Sequence, residues 1–154
     1  MRPIPASVML RVATVLMMGS LLTAGRVAAD PTDLIFVVSS ETPIQSLPVE
    51  DVQNIYLGKK RVVAGFPVSA IDHSESEPIK QAFLKHVMHL THSQYREQLM
   101  RRRFQEGAVT PKFVGNASEA LNAIREPPGA IGYVYESDAG TLLGLKVVAT
   151  LPTK

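Results

Sequence analysis

Residues able to do chemistry gather most densely in one stretch, Asp72-His73-Ser74-Glu75-Ser76-Glu77-Pro78-Ile79-Lys80. Its setting between an apolar run and a helical pattern makes it a strand-to-helix loop. Unpaired main-chain N–H groups converge in such a loop, so an oxyanion can sit there against backbone donors and hydroxyls. Ser74 and Ser76 supply hydroxyls, and Lys80 adds a cation one turn into the helix. Glu75 and Glu77 argue the other way, because carboxylates at that place cap the helix and repel an anion. An anion site and a plainly capped helix start both remain open on these residues.

The other polar clusters carry weaker signals. His86, His89 and His92 are spaced three apart, but a helix turns about 120° away from a shared direction by the third of them. They read as a solvated face rather than a metal site. Arg101-Arg102-Arg103 spreads over about 300° of helix circumference and cannot form one stripe. A solvated cationic face fits it, with an acidic partner or an anion clamp as the alternative. Lys59-Lys60-Arg61 follows a helix end, where cations offset the macrodipole. No G-x-S-x-G elbow, S-x-x-K pair or recognisable acid–base constellation proposes an enzyme, and no cofactor is implied. The chain has no cysteine, which excludes a disulfide framework, a thiolate metal site and a cysteine nucleophile.

The elements that position these groups follow from length and periodicity. Of 154 residues, the first 29 have the three parts of a secretory signal. Arg2 and Arg11 precede an apolar core from Val12 to Gly25, and Val27 and Ala29 stand at −3 and −1 before Asp30. The apolar run, roughly 21 Å as a helix, is short against a hydrocarbon layer of roughly 30 Å. An exported, periplasmic chain without stable membrane insertion is expected, cleaved after Ala29. Cleavage takes three of 16 basic groups and none of the 14 acidic ones, which leaves a net charge of −1. That balance argues against a nucleic-acid partner.

Residues 30–154 read as one domain. Leu34 to Val38 is a continuous apolar run, expected as a strand covered on both faces. Pro48 opens a helix with Val49, Val52, Ile55 and Tyr56 on one side, closed by Gly58. Phe66 to Ile71 reads as a second buried strand. Ser76 is the expected N-cap of a helix carrying Ile79, Phe83, Val87 and Leu90 inward. Ser93 starts another helix, with Leu99, Met100 and Phe104 as its inward residues, ending near Gly107. Asn116 and Glu119 have capping-box spacing before Ala117, Ala120, Leu121 and Ile124. Ala130 to Tyr135 and Leu142 to Leu151 complete the strands. The alternation predicts an α/β domain with a mostly parallel sheet flanked by helices. Ligands in such sheets meet the carboxyl ends of strands, which points to Ser39 and Ser40 as well as to Asp72–Lys80.

Three segments together resemble phosphate-type periplasmic substrate-binding proteins of ABC transporters. They are Pro48-Val49-Glu50-Asp51-Val52-Gln53-Asn54-Ile55-Tyr56-Leu57-Gly58-Lys59, Ile79-Lys80-Gln81-Ala82-Phe83, and, most specifically, Pro128-Gly129-Ala130-Ile131-Gly132-Tyr133-Val134. The resemblance spans most of Leu34 to Val134. It implies a type 2 periplasmic-binding-protein fold, in the form of a single lobe of a protein that ordinarily has two. It also implies inorganic phosphate or another oxyanion as ligand, with an ABC transporter permease or another envelope protein as partner; the strand-end rule and the loop chemistry above give Ser39, Ser40, Ser74, Ser76 and Lys80 as the residues expected to hold it. Where phosphate-binding relatives carry Ser-Gly-Thr-Arg, this chain has Glu77, Pro78, Ile79 and Lys80. The alternative is a periplasmic interaction module that kept the lobe and lost its ligand.

Overall fold

The computed structural model describes residues 32–154, so the proposed leader lies outside the described residues. The elements in order are β1 (Leu34–Ser39), α1 (Val49–Tyr56), β2 (Val62–Val63), β3 (Phe66–Pro67), β4 (Ser69–His73), α2 (Pro78–Phe83), α3 (His92–Glu106), β5 (Lys112–Val114), α4 (Ala117–Arg125), β6 (Ala130–Tyr135) and β7 (Leu145–Leu151). Five strands form the main sheet in the order β5-β4-β6-β1-β7, and β2 and β3 form a separate hairpin. Strand β4 is parallel to β5 and to β6, whereas β1 is antiparallel to both β6 and β7. Four strands therefore point one way and β1 alone is reversed. The fold is an α/β lobe with a mostly parallel sheet and helices on both faces.

Side chains alternate across a strand, and here both faces are covered. Leu34, Phe36 and Val38 enter one core with α1, α2 and α3. Ile35 and Val37 enter a second core with α4. The continuous apolar run of β1 is thus a strand buried on both faces, as its composition predicts. Its antiparallel pairing is what composition does not encode.

Gly129 and Gly132 are required by close packing. Gly129 has φ +93°, and a Cβ there would lie 2.1 Å from the Pro67 carbonyl oxygen. Gly132 lets α4 settle on the sheet, since a Cβ there would meet Ile124 Cδ1 at 2.5 Å. The Pro-Gly-Ala-Ile-Gly-Tyr-Val segment is therefore shaped by how closely the hairpin and α4 approach β6.

Several local expectations are corrected. Phe66 to Ile71 is not one strand: Phe66–Pro67 belongs to the hairpin and the sheet strand begins at Ser69. Glu77, not Ser76, is the N-cap of α2, in extended conformation and without a side-chain capping bond. Proline at N1 forces the preceding residue out of the helical region, which fixes the boundary at Glu77. The expected continuous helix to Leu90 passes through a π-helical turn at Leu84–Met88 and stops at His89, which is left-handed with φ 54°. His92 consequently lies on a different helix from His86. Helix α3 begins at His92 rather than Ser93, capped by Thr91, whose hydroxyl accepts from Gln94 N while Thr91 N donates to Gln94 Oε1. Only Tyr95 and Leu99 of α3 are buried, whereas Met100 and Phe104 are exposed, Phe104 by 76%. Five residues after Leu99 is about 140° off its stripe, so Phe104 faces away from the core.

Candidate functional site

The reversal of β1 separates two groups expected to meet. Val38 is level with Ile131, which is level with Ala70. Ser39 and Ser40 thus stand beside the start of β4, while Ser74 and Ser76 follow its end. Five strand residues separate those levels by roughly 16 Å. Ser39 is buried and locally engaged: its Oγ accepts from Glu41 N at 3.3 Å, and its carbonyl accepts from Thr42 Oγ1 at 2.9 Å. The Ser40 amide donates to the Gly144 carbonyl at 2.9 Å.

Lys80 is also elsewhere than expected. Its ammonium pairs with Asp72 beneath the helix, with side-chain exposures of 1% and 0%. The same carboxylate accepts from Tyr133 Oη at 2.7 Å, Tyr95 Oη at 2.9 Å and its neighbour His73 N at 2.8 Å. The Lys80 nitrogen also lies 4.2 Å from the Tyr95 ring centre, a cation–π contact. Burial pulls Lys80 below the ordinary lysine value, and the Asp72 charge pulls it partly back. Four donors thus converge on Asp72 inside the core, a structural ion pair in which Lys80 is spent. Sequence reasoning missed Asp72, Tyr95 and Tyr133 as one network. The available signal was an aspartate directly after the apolar pair Ala70-Ile71 in a strand.

Burial, with the Asp72 charge adding to it, holds Tyr56, Tyr95 and Tyr133 well above the ordinary tyrosine value. The stability these folded-state protons supply is fully present below about pH 10, where unfolded tyrosine titrates, and is lost as pH rises beyond it. Lys80, lowered in the folded chain, acts with the opposite sign, but one lysine faces three tyrosines. Absorbance at 295 nm is expected to show one tyrosine, Tyr135, ionising ahead of unfolding, and the other three appearing with loss of circular dichroism. Three or four tyrosines ionising in a still-folded chain would contradict the packing around Asp72.

What remains at the carboxyl end of β4 is a turn and a cavity. Ser74 N and Ser74 Oγ both donate to the Val114 carbonyl, at 2.9 and 3.0 Å. Glu77 N donates back to the Ser74 carbonyl at 3.0 Å. The amides of Glu75 and Ser76 bond to no group among the described residues. Glu75 turns outward to a bidentate pair with Arg96, at 2.7 Å from Nη2 to each oxygen, and the guanidinium holds its carboxyl below the usual range. Beside this turn lies a cavity of about 230 Å3, bounded by His73 and Tyr135 from the sheet, Glu77, Pro78 and Ile79 at the start of α2, and Asp138. Three of the four residues at the Ser-Gly-Thr-Arg positions of the resemblance thus line the cavity, and the fourth, Lys80, points away.

Solved structures share this architecture. An ABC-type phosphate transport receptor from Vibrio cholerae matches with TM-score 0.58 and 16% identity over 75% of this chain and 45% of its own. A putative phosphate ABC transporter substrate-binding protein from Clostridium perfringens, solved with bound phosphate, matches with TM-score 0.60 and 15% identity over 75% and 44%. PstS from Borrelia burgdorferi matches with TM-score 0.59 and 19% identity over 76% and 47%. The chain therefore shares its fold with part of each of these three proteins, and it spans less than half the length of each. No family model and no curated protein matches the sequence. No helix among the described residues is long and apolar enough to cross a membrane.

Proposed function

We propose that the chain is an exported, non-enzymatic solute-receptor lobe that holds a small oxyanion such as phosphate non-covalently where β4 runs into α2. The observation that carries this reading is the pair of unpartnered amides, Glu75 and Ser76, at the carboxyl end of a parallel strand in a fold shared with phosphate receptors. Ser76 contributes its exposed hydroxyl, and Ser74 shapes the turn through its two bonds to Val114. Arg96 supplies the cation, exchanging Glu75 for the incoming oxyanion, because a guanidinium matches a phosphate as a bidentate fork. Ser39, Ser40 and Lys80 are left out of this site, the serines by distance and the lysine by its bond to Asp72. Delivery is to an ABC permease or another envelope protein, in keeping with a leader over residues 1–29.

Thermal unfolding of the chain against phosphate, sulfate and chloride tests the ligand. At a hundredfold excess over Kd, binding adds about 2.7 kcal/mol of stability, a shift of several degrees for a domain of this size. Phosphate or sulfate is expected to raise Tm where chloride at equal ionic strength does not.

A second reading, an interaction module without a small ligand, has its own support. Lys80 is locked away, Glu77 and Asp138 are acids at the cavity, and Met100, Phe104 and Val109 are exposed apolar groups near the end of α3. A stoichiometric envelope partner that co-purifies, with Tm unmoved by any oxyanion, would select it. Arg101 and Arg102 are less available to such a partner than their sequence suggests, since each pairs with a glutamate on its own helix, Glu97 and Glu106.

A further inference from the structure

A second cavity, of about 300 Å3, opens at the amino end of β4, away from the anion turn. Ile55 of α1, Val68, Ala70 and Ile71 around the start of β4, and Ala123 of α4 form its apolar wall. All of these but Val68 are buried. The cavity has its origin in the sheet. Pairing of β4 with β5 begins at Ile71 opposite Lys112, so Ser69 and Ala70 have a partner strand on the β6 side alone. The residue next in register on β5, Pro111, has no N–H with which to extend the ladder. An open stretch of sheet edge between two helices is the result. Five strand residues, roughly 16 Å, separate Ala70 from the turn at Glu75.

Charge at this cavity has one sign. Lys60, Arg61 and Lys112 line it, and no aspartate or glutamate among the described residues does. Gly58, with φ +71°, lets the end of α1 come up against the approach to β5, since a Cβ there would lie 3.2 Å from Ala108 Cβ. Arg61 reaches across the same junction, its Nη2 donating to the Gly107 carbonyl at 3.2 Å. Lys60 is paired with Asp51 at 2.7 Å, whereas Arg61 and Lys112 have no carboxylate partner among the described residues. Lys112 also borders a neighbouring cleft that holds Glu119 and Glu126. Two unpaired cations beside a buried apolar wall suit a negative charge that brings apolar surface with it, and a simple inorganic anion would leave the wall bare. Small-molecule pockets are built this way, mostly apolar with a few polar groups that fix orientation. A dry cavity of about 150 Å3 accepts benzene, so this one has room for an aromatic ring with a short acid arm. We infer that the cavity binds a small amphipathic anion, an aromatic or compact aliphatic carboxylate. Its apolar body rests against Ile55, Ala70 and Ala123, and its carboxylate meets Arg61 and Lys112. The site is independent of the oxyanion reading at the turn.

Titration of the full chain with phenylacetate, phenylacetamide, acetate and inorganic phosphate, followed by calorimetry and amide chemical shifts, tests this. Phenylacetate is expected to bind about tenfold or more tightly than phenylacetamide, which lacks the charge, or acetate, which lacks the ring. It is expected to move the Gly58, Ala70 and Ile71 amides while Glu75 and Ser76 stay still. Arg61 and Lys112 are exposed, so Arg61→Gln with Lys112→Gln is expected to leave circular dichroism unchanged and to bring phenylacetate and phenylacetamide within twofold of each other. Ala123→Met fills the recess from α4 and is expected to abolish phenylacetate binding; should that variant fail to fold, the ligand comparison on the unaltered chain decides. Acetate binding as tightly as phenylacetate overturns the inference in favour of an open cationic surface. Phenylacetamide binding as tightly overturns it in favour of an uncharged recess. Phenylacetate shifts at Glu75 and Ser76 instead of Ala70, or no phenylacetate binding, likewise overturn it. Phosphate shifts at Glu75 and Ser76 test the turn alone, so the two sites fail separately.

Discussion

Replacing Asp72 by alanine is expected to lower stability by about 3–5 kcal/mol, because it strands a buried ammonium without its counter-charge. It also removes the acceptor of the Tyr95 and Tyr133 hydroxyls. The loss is a large part of the roughly 5–15 kcal/mol that a domain of this kind possesses. Lys80→Met is expected to cost less, since three donors continue to hold the carboxylate. Adding Lys80→Met to Asp72→Ala is expected to recover part of the deficit, as charge pairs replaced together by apolar groups often cost little. Urea midpoints at unchanged slope give the three values. A Lys80→Met protein as unstable as Asp72→Ala would show that the ammonium, and not the carboxylate, organises this core.

Gly129→Ala is expected to cost about 3–5 kcal/mol, the sum of left-handed backbone strain and overpacking. The residue has φ +93°, and the new Cβ would stand 2.1 Å from the carbonyl oxygen of Pro67, a backbone atom unable to rotate away. Relief requires the β2–β3 hairpin to move, which also loosens the bond from Ser69 N to the Gly129 carbonyl. Gly132→Ala, whose Cβ would meet buried Ile124 at Cδ1 (2.5 Å) and Cγ1 (3.0 Å) and Ile71 Cβ at 3.4 Å, side-chain atoms rather than backbone, is expected to be milder. Equal midpoints for the two variants would contradict this reading of the Pro-Gly-Ala-Ile-Gly segment.

Local features of the fold were largely written in the sequence. The Leu34–Val38 run, the Asn116 cap that accepts from Glu119 N, the stop at Gly107 and the strand from Ala130 to Tyr135 all follow from nearest-neighbour chemistry. The direction of β1 was not legible, because an apolar run reads the same whether its neighbours are parallel or antiparallel. That ambiguity placed Ser39 and Ser40 at the wrong end of the sheet. Lys80 was misread for a related reason. Its sequence neighbours suggest an exposed helix start, whereas its partner Asp72 lies eight residues back across a strand end and a turn, and only the fold brings them together. Phe104 was misassigned by its apolar type alone, although its spacing of five residues from Leu99 already sets it about 140° off the buried stripe. The cavity beside His73 and Glu77 joins the Asp72–Lys80 stretch to Asp138, far along the chain, and that juxtaposition leaves no spacing signature.

Amide chemical shifts during phosphate titration test the central claim most directly. If the turn at the end of β4 is the receptor site, the Glu75 and Ser76 amides move most, Arg96 Nε–H moves with them, and Ser40 and Gly144 stay still. Saturating phosphate that leaves Glu75 and Ser76 unmoved, or shifts only the cationic surface around Lys60 and Arg61, would contradict it.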